Sequence, residues 1–245
     1  MNFWMRGRSA IARGLNVDLT HSQKHYARIL ERYVKSGMDW LEVGCGRHIV
    51  PDWAMPIESQ REMAGRCSRL IGVDADGAIL EHPLLSSRVM ALGGTLPFRN
   101  QSFDLVTSNM VVEHVPEATP FLLDIARVLK PGGRYLFHTP NFRYYLIFIA
   151  SLVPDAVKQK LVWWLERRQE SDVFHTFYRL NTREQIQSAA GSAGFEVEAI
   201  HTITSSGIFS ALGPIGWAEC LILKAQTVLF NGRYNSNFVV VLKKR

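Results

Sequence analysis

Two acidic residues stand at the ends of two short apolar segments, and glycines follow the first of them. Glu42 precedes Gly44 and Gly46 in the sequence WLEVGCG, and Asp74 ends the segment RLIGVD. Glycine lets the backbone come close to a bulky ligand, because any Cβ at that place would collide with it. A carboxylate beside such a loop repels a pyrophosphate and attracts a cation. These residues predict a binding site for a positively charged ligand.

The spacing of the glycines disfavours a dinucleotide site. The dinucleotide fingerprint GxGxxG needs a third glycine where this chain has Ile49. Asp74 lies 28 residues after Gly46, whereas about 20 residues separate the glycine loop from the ribose-binding acid in that fingerprint. An NAD(P)-dependent oxidoreductase is therefore an alternative that the missing glycine argues against.

Three histidines are candidates for proton transfer. His114 follows the segment SFDLVTSN, His138 lies in the segment RYLFHT, and His175 precedes a helix that begins after Thr182. An imidazole titrates near neutral pH, so it suits a general base that takes a proton from a hydroxyl or carboxyl nucleophile. His114 is the first candidate, although it also fits a structural role as a histidine that hydrogen-bonds to the backbone at a helix start.

The elements that position these residues alternate between strands and helices. This alternation predicts an α/β fold of the Rossmann-like, doubly wound type, with a mostly parallel sheet of seven strands. The last two strands, separated by a long connection, are expected to form an antiparallel edge. The predicted strands are residues 38–43, 69–74, 87–92, 102–109, 134–139, 195–200 and 237–244, and the predicted helices are 21–36, 57–67, 119–130 and 183–193.

We expect one domain with four parts, and ligands bind such a sheet at the carboxyl ends of its strands. The parts are a helical extension (1–37), a cofactor-binding core (38–141), a lid or substrate insertion (142–180) and a C-terminal helix with edge strands (181–245).

The composition limits the kinds of partner that the protein is expected to bind. The net charge of +6 at pH 7 suits an anionic partner, but the cations are scattered and no nucleic-acid motif is visible. Three cysteines without a CxxC pair predict neither a disulfide framework nor a metal site. The longest apolar run near the middle, residues 144–153, is shorter than the ~20 residues of a spanning helix. We expect a cytoplasmic protein that can also contact a membrane.

The motifs together resemble those of class I S-adenosylmethionine-dependent methyltransferases. LEVGCG resembles the first motif, and LIGVDADGAIL resembles the second-strand motif, whose acid accepts both ribose hydroxyls. Residues 96–115 resemble the stretch from the adenine loop through the fourth strand, and residues 122–141 resemble the helix, turn and strand that follow. Residues 180–200 resemble the late helix and strand of the subgroup that methylates small molecules and lipids.

The resemblance implies S-adenosyl-L-methionine as the cofactor. Two positions depart from the family pattern: His48 replaces a glycine, and Leu92 replaces the acid that reads the adenine amino group. Backbone groups of the next two glycines would then hold the adenine, and the residues after the fourth strand would border the methionine portion. The implied cofactor-binding residues are Glu42, Gly44, Cys45, Gly46, Asp74, Ala75, Gly93, Gly94, Asn109 and Met110.

Two apolar stretches bear on the acceptor. Residues 142–168 combine aromatic and cationic side chains, and residues 207–230 are mostly apolar. Residues 142–168 predict a lid, and the two stretches predict an apolar channel or an interfacial surface for a small-molecule, lipid-like or saccharide acceptor, with methyl transfer to oxygen. Ordinary core and helix packing or a dimer face is the alternative. A catalytically inactive binding protein with the same fold is a second hypothesis for the function.

Overall fold

The structure is a computed structural model that describes residues 14–15, 17–91, 95–145, 175–204 and 214–245. Its strands are β1 (Asp39–Val43), β2 (Arg69–Asp74), β3 (Ser87–Met90), β4 (Phe103–Asn109), β5 (Leu129–Pro140), β6 (Phe195–Ile203) and β7 (Asn237–Lys244). Its α-helices are α1 (Ser22–Tyr33), α2 (Ile57–Gly65), α3 (Ala118–Val128), α4 (Arg183–Ser192) and α5 (Pro214–Leu229). Two short 3₁₀ helices span Gly77–Glu81 and Val112–His114.

All seven strands form one sheet in the order β3-β2-β1-β4-β5-β7-β6. Strands β1 to β5 pair in parallel, whereas β7 is antiparallel to both β5 and β6. The predicted fold class is confirmed: the antiparallel edge consists of β7 and, outermost, β6. Because β6 reverses direction relative to β7, it runs parallel to β5 and its carboxyl end lies at the same edge of the sheet.

The direction of connection reverses between β1 and β4, which are neighbours in the sheet but not along the chain. In doubly wound folds this is the switch point, where a crevice opens beyond the carboxyl ends of the strands. The carboxyl ends of β1, β2 and β4 are Val43, Asp74 and Asn109. The fold thus brings three separate segments of the chain to one crevice.

The central strands carry apolar side chains on both faces of the sheet, as is typical of parallel strands that are covered on both sides. In β1, Trp40 belongs to the core that α1 covers through Tyr26 and Leu30. The next residue, Leu41, belongs to the opposite core, which includes Ile125 of α3. Successive side chains of a strand point to opposite faces, so one short apolar segment stabilises both layers.

The ends of several elements follow the predicted signals. Thr182 caps α4, its hydroxyl accepting a hydrogen bond from the Gln185 N–H, as the capping box predicts. Gly132 has a φ of +74°, which suits the second central position of the predicted type II turn. The preceding helix ends at Val128, two residues earlier than predicted, because Leu129 already pairs with Phe103 of β4.

Most of the predicted lid (146–174) and the first part of the apolar stretch 207–230 lie outside the described residues. In the part of the chain that the structure does describe, no helix is both long and apolar enough to cross a bilayer.

Candidate functional site

The glycine loop follows β1 and joins it to the end of β2. Gly44 has a φ of +65°, and its N–H donates to the carbonyl oxygen of Val73 at 2.8 Å. A Cβ at Gly44 would lie 2.4 Å from Cγ2 of Val111, the second residue after β4. Gly46 has a φ of +46°, but a Cβ there would meet no atom within 4 Å. Glycine is therefore favoured at position 44 by the close approach of Val111 and by the positive φ, and at position 46 by the positive φ alone.

The pattern of glycines ends at His48 because the chain turns back into the core. The His48 N–H donates to the carbonyl oxygen of Cys45 at 3.2 Å, which closes a tight turn. His48 is exposed, whereas the next residue, Ile49, is fully buried in the core beneath α1. Ile49 occupies the position of the third glycine of a dinucleotide fingerprint, so this loop is shaped by core packing instead.

Asp74 ends β2 with its carboxylate held by two backbone donors. Its Oδ2 accepts from the Gly46 N–H at 2.7 Å, and its Oδ1 accepts from the Asp76 N–H at 2.9 Å. Asp74 is half-buried and the following Ala75 is exposed. A carboxylate has about four acceptor positions, so Asp74 keeps acceptor capacity toward the crevice while its orientation is set by the loop.

Glu42 lies on β1 with no exposed surface. The hydroxyl of Thr107, directly opposite on β4, donates a hydrogen bond to Oε2 of Glu42. The other oxygen, Oε1, has no hydrogen-bond donor within the described residues. Burial raises the pKa of Glu42 to about 8, although the Thr107 hydrogen bond acts in the opposite direction. Glu42 is therefore mostly protonated at neutral pH, and a nearby cation would favour its ionised form.

At the end of β4, the side chain of Asn109 ties three parts of the molecule together. It forms a reciprocal amide pair with Gln23 of α1, with distances of 3.1 and 2.9 Å, and its Nδ2 also donates to the carbonyl oxygen of Ile49 at 3.2 Å. Met110 follows with a φ of +59° and an exposed side chain. Asn109 thus positions α1 and the glycine loop relative to the sheet, and the exposed Met110 follows it at the carboxyl edge of β4.

His138 is buried beneath α1. Its Nδ1 donates to Oδ1 of Asn109 at 2.9 Å, and its ring stacks on Tyr26 with a centroid distance of 5.4 Å. Burial lowers the pKa of His138 to about 3, and repulsion from His21 and His25 adds to the effect. The imidazole is therefore neutral at physiological pH and enclosed. This environment suits a role in packing, and the predicted role in proton transfer has no support from the geometry.

His114 and His175 lie together, as candidates for one site should. Nδ1 of His114 is 2.9 Å from the carbonyl oxygen of His175, so Nδ1 carries the proton. The side chain of His175 is exposed and packs edge-on against Phe177 at 4.5 Å. The contact uses the backbone of His175, which means that the described end of the predicted lid (142–180) orients His114.

Glu113 holds that segment in place. Its carbonyl oxygen accepts from the Phe177 N–H at 2.7 Å, and its buried carboxyl accepts from the Thr139 hydroxyl at 3.1 Å. The same hydroxyl accepts from the amide of Asn181 at 2.7 Å. Burial raises the pKa of Glu113 to about 7. Glu113 therefore connects the end of β4 with β5 and the residues that lead into α4.

Comparison with known proteins decides the family. The family model described as a methyltransferase domain matches residues 19–200, well over half of the chain. The chain belongs to this methyltransferase family. The predicted family, enzyme class and cofactor, S-adenosyl-L-methionine, are thereby confirmed.

Two curated relatives of the methyltransferase extend the match. A probable S-adenosylmethionine-dependent methyltransferase from Mycolicibacterium smegmatis is 30% identical over 193 residues, which cover 77% of this chain and 61% of the relative. A demethylmenaquinone methyltransferase from Staphylococcus saprophyticus is 33% identical over 197 residues, which cover 75% of this chain and 81% of the relative. The chain therefore spans somewhat less than two thirds of the first relative's length.

A solved structure supports the fold. The S-adenosylmethionine-dependent methyltransferase from Mesorhizobium loti superposes with a TM-score of 0.54 at 17% identity, covering 89% of this chain and 96% of that one. At this identity the likeness establishes the architecture of the methyltransferase and leaves its acceptor open.

The structure brings most of the implied cofactor-binding residues of the methyltransferase to one edge of the sheet, with one clear exception. Cys45 is buried, and its Sγ packs 2.7 Å from where a Cβ of Gly72 would lie, so the thiol faces the core and not the crevice. Burial also raises the pKa of the Cys45 thiol. Only the backbone of Cys45 can take part in the glycine loop. Gly93 and Gly94 lie outside the described residues.

Sequence reasoning missed Thr107, Gln23 and Val111, which contact the predicted residues Glu42, Asn109 and Gly44. Each belongs to a segment distant in sequence from its partner, so no local pattern pairs the two residues. Two clefts, of about 360 and 620 Å³, lie beside α1, but neither Glu42 nor Asp74 lines them. The clefts therefore lie apart from the predicted cofactor-binding residues Glu42 and Asp74.

Proposed function

We propose that the protein transfers a methyl group from S-adenosyl-L-methionine to an oxygen of a small-molecule, lipid-like or saccharide acceptor. One observation carries the cofactor part of the proposal. Two carboxyl groups lie at or next to the carboxyl ends of neighbouring strands, Asp74 as the last residue of β2 and Glu42 as the last but one of β1, and Oε1 of the buried Glu42 lacks a donor within the described residues. A cationic nucleoside without phosphate offers both an ammonium and ribose hydroxyls as donors.

In this proposal each acid has a separate task. Asp74, oriented by the N–H groups of Gly46 and Asp76, accepts hydrogen bonds from the ribose hydroxyls. Glu42 gives its unpaired Oε1 to the ammonium and becomes ionised, since an adjacent cation lowers a carboxyl pKa. The bound cofactor supplies a methyl group already activated by the charge of its sulfonium. The protein therefore contributes mainly proximity, orientation and the exclusion of water.

His114 is our candidate base for an oxygen acceptor. Its Nδ1–H faces the carbonyl oxygen of His175, so Nε2 is the nitrogen that would take the proton of the acceptor hydroxyl. General bases of this kind typically contribute about 10²–10⁴-fold to the rate. His175 would act through its backbone, and the enclosed His138 would act only in packing.

The acceptor class rests on the demethylmenaquinone methyltransferase among the relatives and on the apolar stretches of this chain. A quinone-like or polyprenyl acceptor combines a polar oxygen with an apolar tail, which suits residues 142–168 as a lid. We keep the proposed division of the chain into the extension 1–37, the core 38–141, the lid 142–180 and the C-terminal part 181–245.

Calorimetric titration with S-adenosyl-L-methionine tests the cofactor site. We expect low-micromolar affinity for the wild type and at least about tenfold weaker binding for Asp74→Ala, since a hydrogen bond to a charged group contributes about 1.5–3 kcal/mol. Glu31→Ala, which removes an exposed carboxylate from α1, is the charge-matched control and should bind as the wild type does. Equal affinity of Asp74→Ala and wild type would remove Asp74 from the site.

A transfer assay with labelled cofactor against lipid and saccharide extracts tests the reaction. His114→Ala should lower kcat by roughly 10²-fold or more without changing cofactor affinity. His175→Ala retains the carbonyl that orients His114, so its kcat should stay within about threefold of the wild-type value. Cofactor binding without transfer to any extract would favour the catalytically inactive binding protein.

A further inference from the structure

Half of the large apolar side chains that the described part of the protein exposes lie on α5 or directly after it. Of twelve large apolar side chains that are exposed, six lie between residues 217 and 230. The opposite side of this helix, including Cys220 and Leu223, is buried against the protein. The six exposed side chains are Trp217, Leu221, Ile222, Val228, Leu229 and Phe230.

This exposed face carries one charge, and that charge is positive. Lys224 is exposed in the middle of α5. The only acidic residue of the helix, Glu219, is buried on the other side, where it accepts a hydrogen bond from the Tyr145 hydroxyl at 2.6 Å. A contiguous apolar patch of this kind on a surface marks an interaction site, and the absence of exposed acid on α5 makes the face compatible with an anionic partner.

A basic groove of about 620 Å³ runs beside the apolar face, between α1, β6 and α5. It is lined by the permanent cations Arg28, Arg32 and Lys224, and by His25 and His201. Among the described residues that line the groove, Asp18 is the one carboxylate, and it lies 3.2 Å from Nε2 of His25. The groove therefore has an excess of positive charge directly next to apolar side chains.

The groove reaches the edge of the sheet where the candidate site lies. Thr202 and Ile203, which line it, form the carboxyl end of β6, and Thr204 follows them. Strand β6 runs parallel to β4 and β5. At the same edge, Gln23 in the first turn of α1 contacts Asn109. A partner seated on the groove would therefore be on the same side of the protein as the crevice.

We propose that the exposed face of α5 and the basic groove form one docking surface for a bilayer that contains anionic phospholipid. The apolar side chains of α5, with Trp217 among them, enter the boundary between headgroups and acyl chains, where tryptophan is favoured. Arg28, Arg32 and Lys224 then face the phosphates. Both parts are needed, because apolar burial or charge alone gives weak, reversible membrane association. Docking does not depend on the proposed methyl transfer.

Flotation of the full chain with lipid vesicles tests the docking surface. The wild type should bind vesicles of phosphatidylcholine mixed with phosphatidylglycerol, and should bind pure phosphatidylcholine vesicles at least about tenfold more weakly. Each cation near an anionic surface contributes roughly fivefold in affinity, and raised salt should weaken the binding because the charges are exposed. Equal binding to both kinds of vesicle, or binding to neither, would contradict the proposal.

Two pairs of variants locate the surface. Leu221→Glu should reduce binding to anionic vesicles at least about tenfold, whereas Leu123→Glu, which places the same charge at an exposed leucine of α3, should not. The double variant Arg28→Glu, Arg32→Glu should reduce it more than about twentyfold. Its control, Lys35→Glu with Arg61→Glu, changes the net charge equally at exposed positions outside the groove.

Further measurements distinguish a membrane-facing α5 from one that is covered by protein. Cofactor affinity should be unchanged in Leu221→Glu, and Asp74→Ala should still bind vesicles, so failure of the methyltransferase proposal would leave docking intact. If Leu221→Glu lowered the melting temperature and Leu123→Glu did not, another part of the chain would cover α5. A wild-type dimer that Leu221→Glu converts to monomer, measured by light scattering, would assign the face to a second copy. Either result would overturn the proposal.

Discussion

The two sides of the crevice are built in different ways. The glycine-loop region, which we define as residues 42–46 with Asp74, is shaped by backbone: two glycines at positive φ, and a carboxylate held by two N–H donors. The β4–β5 region, which we define as residues 107–114 and 138–141, is shaped by side chains. There, Asn109 and Glu113 make contacts with α1 and with residues 177–178.

The shape of the glycine-loop region is specified by neighbouring residues, whereas the shape of the β4–β5 region depends on contacts between distant segments of the chain. A backbone loop keeps its shape as long as its glycines and one acid are present, so a short motif can mark it. A cluster of side chains requires distant segments to be packed correctly first. Single substitutions that change the backbone conformation should therefore have large effects on stability in the glycine-loop region. Single substitutions in the β4–β5 region should have smaller effects.

The largest effect is expected at Gly44. Gly44→Ala forces a side chain into a left-handed conformation, which costs about 1–2 kcal/mol, and places its Cβ against Val111, which adds about 1–3 kcal/mol. Gly46→Ala is the matched control, because it carries the conformational cost without the collision. We expect Gly44→Ala to lower the free energy of unfolding, measured in urea, at least twice as much as Gly46→Ala does, and to abolish measurable cofactor binding.

A second substitution sharpens this result. In Gly44→Ala with Val111→Ala, the colliding methyl groups are gone, so the stability and cofactor affinity should recover toward those of Gly46→Ala. If the double variant were no better than Gly44→Ala, the contact between the loop and the residue after β4 would not be the reason for the glycine.

An intermediate effect concerns pH, since each region holds a buried carboxyl group. The pKa of Glu42 is raised to about 8 and that of Glu113 to about 7. An acid with a raised folded-state pKa stabilises the fold below its unfolded pKa, and this contribution is lost as pH rises through the folded pKa. Buried His138 and His82, whose pKa values are lowered to about 3 and 4, act oppositely, but only below pH ~6.5.

The two carboxyl groups can therefore be compared between about pH 6.5 and 8. In that window the loss of stability due to Glu42 should be roughly 2 kcal/mol, and that due to Glu113 less than about 1 kcal/mol. Urea unfolding across the window should show a slope that Glu42→Gln removes largely and Glu113→Gln only slightly. Saturating cofactor should flatten the wild-type slope, because an ammonium beside Glu42 keeps it ionised. A slope unchanged by Glu42→Gln would place the titrating group elsewhere.

The smallest effect is expected where α1 meets the β4–β5 region. Gln23→Ala removes the amide pair with Asn109 and should lower the free energy of unfolding by about 1–2 kcal/mol, with cofactor affinity changed by less than about threefold. Lys24→Ala, an exposed neighbour on the same helix, should leave stability within about 0.5 kcal/mol of the wild-type value. A tenfold loss of cofactor affinity in Gln23→Ala would make α1 part of the binding site.

Much of the fold can be predicted from the amino-acid sequence. The segments RLIGVD and NFVVVLKK are strands over the predicted residues, because continuous apolar runs bounded by turn residues favour buried strands. Thr182 and Gln185 mark the start of α4. The end of α3 was predicted two residues too late, since Leu129 and Lys130 continue the helical pattern but pair with β4 instead. Pairing between strands depends on partners that the local pattern does not contain.

In the candidate site, too, some features are recognisable from the sequence and others depend on contacts between distant segments. Gly44, Gly46 and Asp74 are recognisable from spacing, since their requirements are local: positive φ and a carboxylate at a strand end. The state of Glu42 is not recognisable, because it depends on burial beneath α1 and on Thr107. The sequence ranks His114 before His138 but does not show their surroundings, whereas the fold places His114 against the segment at His175 and encloses His138 beneath Tyr26.

The sequence by itself determined the class of the sheet, the glycine loop and its two acids, because strand periodicity and backbone conformation are properties of neighbouring residues. The tertiary structure alone decided which side chains are protonated, enclosed or exposed. Burial and hydrogen bonding arise only when segments far apart in the chain meet. For the same reason the basic groove beside α5 could not be read from scattered cations, since α1, β6 and α5 assemble it.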